Sequence, residues 1–295
     1  MKNFLLITNK SRDKDLEFTR QVIRYITDKG GKACSIVTGK ENYKTETDSR
    51  TDSYLPEQIR KGLARAVAPD CIMVFGGDGT FVRTSRDLAE LKIPVIGVNL
   101  GTLGYLCELE RSNVFHAIDR LFQDEYEVEH RMMLEGIKCG GSGEYIRALN
   151  DIVIHRKEPT QLINLRISVN GEFLTSYHAD GIIIAAPTGS TSYSLSAGGP
   201  IVDPKADMIL LTPINPHNMQ SRSIVIGSDS TIEVELLPRR PEQDEQATVD
   251  FDGDSCAVLS VGDKITAHRT SEDVKILKLN KVSFLQILSK KMDSI

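Results

Sequence analysis

Three glycines and one carboxylate, Gly76-Gly77-Asp78-Gly79, stand between the apolar run Cys71-Ile72-Met73-Val74-Phe75 and the pair Thr80-Phe81. The run reads as a buried strand, and residues 80–91 space their apolar positions as a helix does. A glycine-rich turn between strand and helix lets backbone N–H groups close around phosphate oxygens, with the helix N-terminus behind them. A carboxylate repels phosphate, so Asp78 asks for a second task. It would bind a metal, or take the proton of a hydroxyl about to be phosphorylated. That chemistry belongs to a hydroxyl-phosphorylating kinase. Taken alone, the four residues also fit a turn in which Asp78 merely caps a helix.

Three further clusters carry polar chemistry. Asn150-Asp151 lies inside the apolar segment 148–154, where a charge is costly to bury without partners. Asp180-Gly181 precedes Ile182-Ile183-Ile184, and residues 187–200 hold six Ser or Thr, Tyr193 and three glycines. An amide with carboxylates at strand ends suits a ligand rich in hydroxyls, because sugar diols donate to carboxylates and accept from amides. Asp151 and Asp180 together also favour a ligand with a positive ring, and Tyr193 offers a face for stacking. Each cluster has a plainer reading. Asn150-Asp151 fits a bulge, Asp180-Gly181 a turn, and the hydroxyl run a capped loop. His155, His178 and His217 read singly as structural.

The elements needed to position these groups follow from the pattern. Residues 4–8 read as a strand; Leu16, Thr19, Val22, Ile23 and Ile26 share a helical face that ends at Gly30-Gly31. Residues 32–38 read as a strand, 40–52 as a polar loop, 58–68 as a short helix, 71–75 as a strand and 93–98 as another. Strand–helix alternation predicts a doubly wound parallel sheet, whose ligands bind beyond the carboxyl ends of the strands. From about residue 127 the pattern changes to closely spaced strands: 145–154, 162–169, 173–178, 181–186, 208–211, 231–236, 248–251 and 256–260. Asn170-Gly171 and Asp252-Gly253 are two-residue hairpin signals, and residues 238–246 read as an exposed loop. The expectation is an α/β domain over residues 1–115 and an all-β domain of layered sheets over 116–279. A terminal helix near 282–292, within a segment 280–295, packs back on the first domain.

Bulk properties exclude several classes. The chain has 295 residues, 40% of them apolar and 26% charged, with a net charge of −5, which argues against a nucleic-acid partner. No apolar run approaches a membrane span, and the apolar N-terminal stretch is too short for a signal peptide. Five scattered cysteines without a Cys-x-x-Cys read as reduced thiols in the cytoplasm, and no histidine pairs with a cysteine at zinc spacing. No Walker loop is present, and no Gly-x-Gly-x-x-Gly follows the first strand.

Combined, the segments resemble the NAD kinase family. The likeness rests on Gly76-Gly77-Asp78-Gly79-Thr80, on Gly97-Val98-Asn99-Leu100-Gly101-Thr102-Leu103-Gly104-Tyr105-Leu106, on Asn150-Asp151, and on Asp180-Gly181 running into the hydroxyl-rich segment 187–200. Residues 213–217 and Asp252-Gly253 fit more loosely. Phosphofructokinases and lipid kinases carry relatives of the first motif, whereas the Thr-Gly-Ser-Thr to Gly-Gly-Pro segment is specific.

The resemblance implies transfer of the γ-phosphoryl group of ATP to the 2′-hydroxyl of the adenosine ribose of NAD, with Mg²⁺ and no dedicated metal ligand named. It implies Asp78 as general base, with Gly76, Gly77, Gly79, Phe81 and Arg83 beside the phosphates. It implies Asn150 and Asp151 on ribose hydroxyls and Asp180 near the nicotinamide. Thr191, Ser192, Tyr193, Ser194, Leu195 and Ser196 would line the adenine side, with His178 and Asp254 within reach of the dinucleotide. It also implies a homo-oligomer, dimer or tetramer. The chain departs from the family pattern at Asp151 (often Glu), Ala186 (often Thr), Ser192 (often Ala) and Asp254 (often Gln or Arg). Two rivals remain on sequence: a lipid kinase with a related loop, and a dinucleotide sensor without turnover.

Overall fold

Phe4, Leu5, Leu6 and Ile7 are apolar without a break, the mark of a strand covered on both faces. They form β1 (Asn3–Asn9), an inner strand that pairs in parallel on both sides. The computed structural model describes residues 1–38, 68–101, 104–138, 145–158, 161–218, 221–239, 245–280 and 282–292. Helix α1 (Glu17–Asp28) lays Phe18, Val22 and Ile26 on the sheet, at the spacing of one helical face. Then come β2 (Lys32–Thr38), β3 (Cys71–Gly76), α2 (Asp78–Asp87) and β4 (Val95–Asn99).

These strands pair in parallel in the order β2-β1-β3-β4, so the winding reverses between β1 and β3. Strand β5 (Leu109–Glu110), helix α3 (Val114–Phe122) and β6 (Glu127–Arg131) follow. The returning strand β19 (Val274–Lys278) completes the sheet, parallel to β4. Its exit is tied down by Glu108, whose Oε1 accepts the N–H groups of Leu279 and Asn280.

The second unit comprises two antiparallel sheets. The first is built from β7 (Leu134–Lys138), β8 (Ile146–Ala148), β10 (Ile163–Val169), β11 (Glu172–Ala179), β15 (Ile232–Leu237) and β18 (Lys264–Arg269). The other is built from β9 (Asp151–Arg156), β12 (Gly181–Ala185), β13 (Met208–Ile214), β14 (Ile224–Gly227), β16 (Gln246–Phe251) and β17 (Asp254–Ser260). Its order is β14-β13-β12-β9-β16-β17.

Alternation decides which side chains meet. Ile152, Ile154, Ile182 and Ile184 enter the core against Leu165, Ile167 and Val234 of the first sheet. Val153, Ile183 and Ala185 point the other way, to a smaller cluster with Leu210 and Ile214. Asp151 shares the parity of Val153, so it stands on this second face. Both hairpin signals hold: Asn170 and Gly171 have φ of 52° and 81°, and Asp252 and Gly253 have 50° and 81°.

The α/β unit followed by layered β-sheets is the fold class expected, but the boundaries move. The two units are Met1–His130 with Val274–Ile295, and Arg131–Asp273. The expected divisions at 115 and 280 fell short because α3, β6 and β19 join the first sheet or its core. Helix α2 begins at Asp78, ahead of the expected Thr80. Leu16, expected on the helical face, sits before α1 with φ of 55°. The single strand expected over 145–154 is broken at Leu149-Asn150, which carries the site below. The loop expected at 40–52, residues 58–67 of the helix expected over 58–68 and residues 240–244 of the loop expected at 238–246 lie outside the described residues.

The terminal helix α4 (Phe284–Met292) belongs to the first unit, where Lys291 Nζ lies 4.1 Å from the ring centre of Tyr105. It buries none of its residues, and Leu285 is 70% exposed. No helix among the described residues is long and apolar enough to cross a membrane.

Candidate active site

In the first unit the chemistry gathers at the carboxyl ends of β1, β3 and β4, beside the point where strand order reverses. Strand β3 ends in Gly76, and Gly77 precedes α2 without a side-chain cap, leaving the first-turn N–H groups to solvent or ligand. Gly76 has no room for a side chain: a Cβ there would lie 2.6 Å from Thr80 Oγ1. Thr80 in turn accepts a hydrogen bond from Asn9 Nδ2 (2.9 Å), which fastens the end of β1 to α2. Gly77 and Gly79 face open space.

Asp78 is held by the segment after β4. Its carboxylate accepts the backbone N–H of Tyr105 (2.6 Å), and those of Leu106 and Cys107 (3.3 Å each). A Cβ on Gly104 would lie 2.1 Å from both carboxylate oxygens, so the carboxylate occupies the space a side chain would fill. Thr102 and Leu103 of the same motif lie outside the described residues. Burial, reinforced by the neighbouring Asp78, pushes the Cys107 thiol far up, so it stays protonated and is no nucleophile.

Two residues expected beside the phosphates differ in exposure. Phe81 is fully buried beneath Gly97, so its side chain belongs to the core. Arg83 is half-buried on α2.

In the second unit, the break between β8 and β9 brings Asn150 and Asp151 together with the hydroxyl-rich segment. Asn150 O accepts the N–H of Ala186 (2.8 Å), and a Cβ on Gly189 would come within 2.2 Å of that same oxygen. Asp252 fixes the turn from the other side. Its Oδ1 accepts the N–H of Asn150 (2.7 Å) and Asp151 (3.2 Å), its Oδ2 that of Leu149 (2.9 Å), and its own N–H donates to Asp151 O (3.0 Å). Three buried polar atoms here have no hydrogen-bond partner: Asn150 Oδ1, Asp151 Oδ2 and Thr188 Oγ1. Orphaned buried polar atoms are costly, and a polar ligand that meets them removes the cost. Burial and the charges of Asp252 and Asp250 push the Asp151 carboxyl up to about 7.

Asp252 was legible only as a hairpin residue. Replacing it by alanine removes an acceptor for three N–H groups and leaves a non-glycine residue at φ of 50°. Asp252→Ala is expected to cost about 2 kcal/mol or more of stability, read as a lowered Tm.

The remaining expected residues divide. Tyr193 is 46% exposed, and Ser192, Leu195 and Ser196 beside it are also open, with Thr191 half-buried. Ser194 is not open to a ligand: it is fully buried and shares a hydrogen bond with Thr212 Oγ1 (3.0 Å). His178 is exposed, with Nδ1 2.7 Å from Asn164 Oδ1 and its ring 5.8 Å from that of His217. Asp180 is engaged by Arg156 Nε (2.8 Å) and Asn215 Nδ2 (2.9 Å), so its charge is already balanced. Arg156 was missed on sequence because strand residues opposite a later turn give no local signal. Asp254 opens β17 opposite Phe251.

Among the described residues no group of three or more His, Cys, Asp or Glu gathers as a metal cage. The chain offers scattered carboxylates of the kind that share a Mg²⁺ with nucleotide phosphates.

Two family models match the chain in order. The ATP-NAD kinase N-terminal domain family matches residues 4–126, and the ATP-NAD kinase C-terminal domain family matches residues 149–279. An NAD kinase of Agathobacter rectalis is 50% identical over 292 residues, covering 99% of each chain. One from Lachnoclostridium phytofermentans is 39% identical over 295 residues, again covering 99% of each. Among solved structures, the yeast NADH kinase complexed with NADH superimposes with a TM-score of 0.81 at 24% identity, over 99% of this chain and 88% of that one. The Archaeoglobus fulgidus NAD kinase in complex with ATP gives 0.73 at 22% identity, over 99% of both. These last two show the shared fold. With both domain families matched in order and relatives similar from end to end, the chain is a member of the NAD kinase family.

Proposed function

We propose that the chain phosphorylates the 2′-hydroxyl of the adenosine ribose of NAD at the expense of ATP, giving NADP. The kinase activity and its substrates follow from the full-length likeness to NAD kinases. The observation that carries the assignment of residues is the pairing, in one chain, of a carboxylate at a glycine-rich helix start with a prebuilt set of partnerless polar atoms. The first suits a phosphoryl acceptor's proton, and the second suits a sugar. A lipid kinase is not favoured, since the orphaned atoms of the second unit are polar. A sensor without turnover leaves Asp78 unused.

Asp78 is the general base. The Tyr105, Leu106 and Cys107 N–H groups keep its carboxylate aimed, and the acceptor hydroxyl gives up its proton to it as the phosphoryl group arrives. The backbone at Gly76–Gly79 and the start of α2 attract the phosphates. Mg²⁺ enters as part of the MgATP substrate, where it offsets phosphate charge. Asn150 and Asp151 orient the ribose, and Tyr193 offers the base a face for stacking. Among the described residues Cys34, Cys71, Cys107 and Cys256 are free thiols, which suits the reducing cytoplasm. A homo-oligomer is the expected assembly, checked by sedimentation.

The Arg156–Asp180 pair bears on which redox form is used. A carboxylate balanced by a guanidinium gains little from the positive charge of an oxidised nicotinamide. Arg156→Met is therefore expected to shift kcat/KM toward NAD over NADH, by roughly three- to tenfold for one released charge. The functional test is NADP formation from MgATP and NAD, read by an NADP-specific dehydrogenase, with NADH and a diacylglycerol as alternative acceptors. Turnover of the lipid alone would overturn the reading.

A further inference from the structure

The carboxyl of Asp151 is an odd choice for a group that must lie against a sugar about to carry a phosphate. It is 4% exposed, its Oδ2 is buried without a partner, and it has no ion-pair partner among the described residues. Its neighbours make matters worse for a charge. Asp252 sits beside it with a carboxylate that already binds three backbone N–H groups. Asp250 stands opposite Val153 in the β9–β16 pairing and so projects from the same face of the sheet as Asp151.

Asp250 has two partners of its own. His155 Nε2 lies 2.9 Å from its Oδ2, and Ser255 Oγ donates to its Oδ1 (2.6 Å). On the β12 side the residue opposite Asp151 is Ala185, which brings no charge. The covering segment, residues 186–196, contains no acidic or basic side chain, and its one titratable group is the phenol of Tyr193. A carboxyl so placed has two carboxylates near it and no cation of its own.

We propose that Asp151 works in its acid form: Oδ2 carries a proton and donates it in a hydrogen bond to a ribose oxygen of bound NAD, while Asp252 positions the turn that presents it. The inference rests on the reading of Asn150-Asp151 as the ribose-holding pair. A neutral acid both donates and accepts, as a sugar hydroxyl requires, and it does not repel the phosphate that the product bears. Buried carboxyls kept neutral for hydrogen-bond donation are a known use of an apolar site. The elevation of the Asp151 carboxyl to about 7, caused by burial and then by Asp252 and Asp250, agrees in direction. The orphaned Oδ2 is the geometric counterpart: it is unpartnered because the ligand oxygen is its partner.

The proton can be counted without turnover. NAD binding is measured by titration calorimetry in buffers of different ionisation enthalpy, from about pH 6 to about pH 8.5, spanning the carboxyl's own value. Wild type is expected to take up a proton on binding above neutrality, and its affinity to fall by up to roughly tenfold per pH unit there. Asp151→Asn, which keeps the shape and a donor, is expected to bind with no proton uptake and no fall. Asp250→Asn removes one of the two nearby charges, so the fall should begin at lower pH than in wild type.

Stability gives an independent check, with the sign fixed by linkage. The fold favours the acid form, so wild type loses stability as pH rises toward and through about 7, and Asp151→Asn does not. Its Tm advantage over wild type should grow with pH. Wild-type binding without proton uptake would overturn the proposal and leave the NAD site standing. So would Asp151→Asn binding that is severely weakened at about pH 6, where both forms are neutral. Failure to bind NAD at any pH would overturn the site and the proposal together.

Discussion

Asp78→Asn is expected to give a folded protein whose kcat is lower by roughly 10²-fold or more, with its affinity for NAD little changed. The substitution keeps the size and one oxygen of the side chain but removes the group proposed to take the hydroxyl's proton. The fold tolerates it because Asp78 opens α2, where it is half-buried, while Phe81 beyond it anchors the helix. The partnerless polar atoms proposed to hold NAD lie at Asn150, Asp151 and Thr188, all in the other unit. Steady-state kinetics with MgATP separate the two quantities. A mutant with normal kcat would remove Asp78 from the chemistry, and one with raised KM alone would make it a binding residue.

Gly104→Ala is expected to match that loss while leaving every carboxylate in the chain. The added Cβ would fall 2.1 Å from both oxygens of Asp78, a separation no pair of non-bonded heavy atoms sustains. Either the carboxylate swings away from the Tyr105 N–H or the 104–107 segment lifts. Both outcomes would misplace the proposed base, and a displacement of about 1 Å costs on the order of 10² in rate. Because Gly104 belongs to the first unit, the calorimetric affinity for NAD should survive. Full activity in Gly104→Ala would show that the grip of residues 105–107 on Asp78 is incidental.

The parts of the account that the sequence made legible are those with local grammar. Cys71 to Phe75 could be read as a buried strand because apolar runs have few other uses, and Asn170-Gly171 as a hairpin because φ above zero suits those residues. Asp78, Asn150 and Asp151 stood out as charges or amides against apolar segments. What stayed hidden was long-range. Nothing near residue 252 announces that its carboxylate reaches back to the N–H groups of residues 149–151. Nothing near Arg156 announces Asp180 as its partner. The domain boundary was misplaced for a similar reason, since β19 joins the first sheet from the far end of the chain. Ser194 shows the converse: a hydroxyl within a ligand-like run turned inward to Thr212, and the run's composition could not say which of its members would do so.

The most direct test follows the phosphoryl group itself. ATP labelled in its γ-phosphate is incubated with NAD, Mg²⁺ and either wild type or Asp78→Asn, and the label is traced to the position it occupies on the dinucleotide. The account predicts label on the 2′-oxygen of the adenosine ribose in wild type, and nearly none in the mutant at equal protein and time. Label elsewhere on NAD, or equal transfer by both proteins, would contradict it.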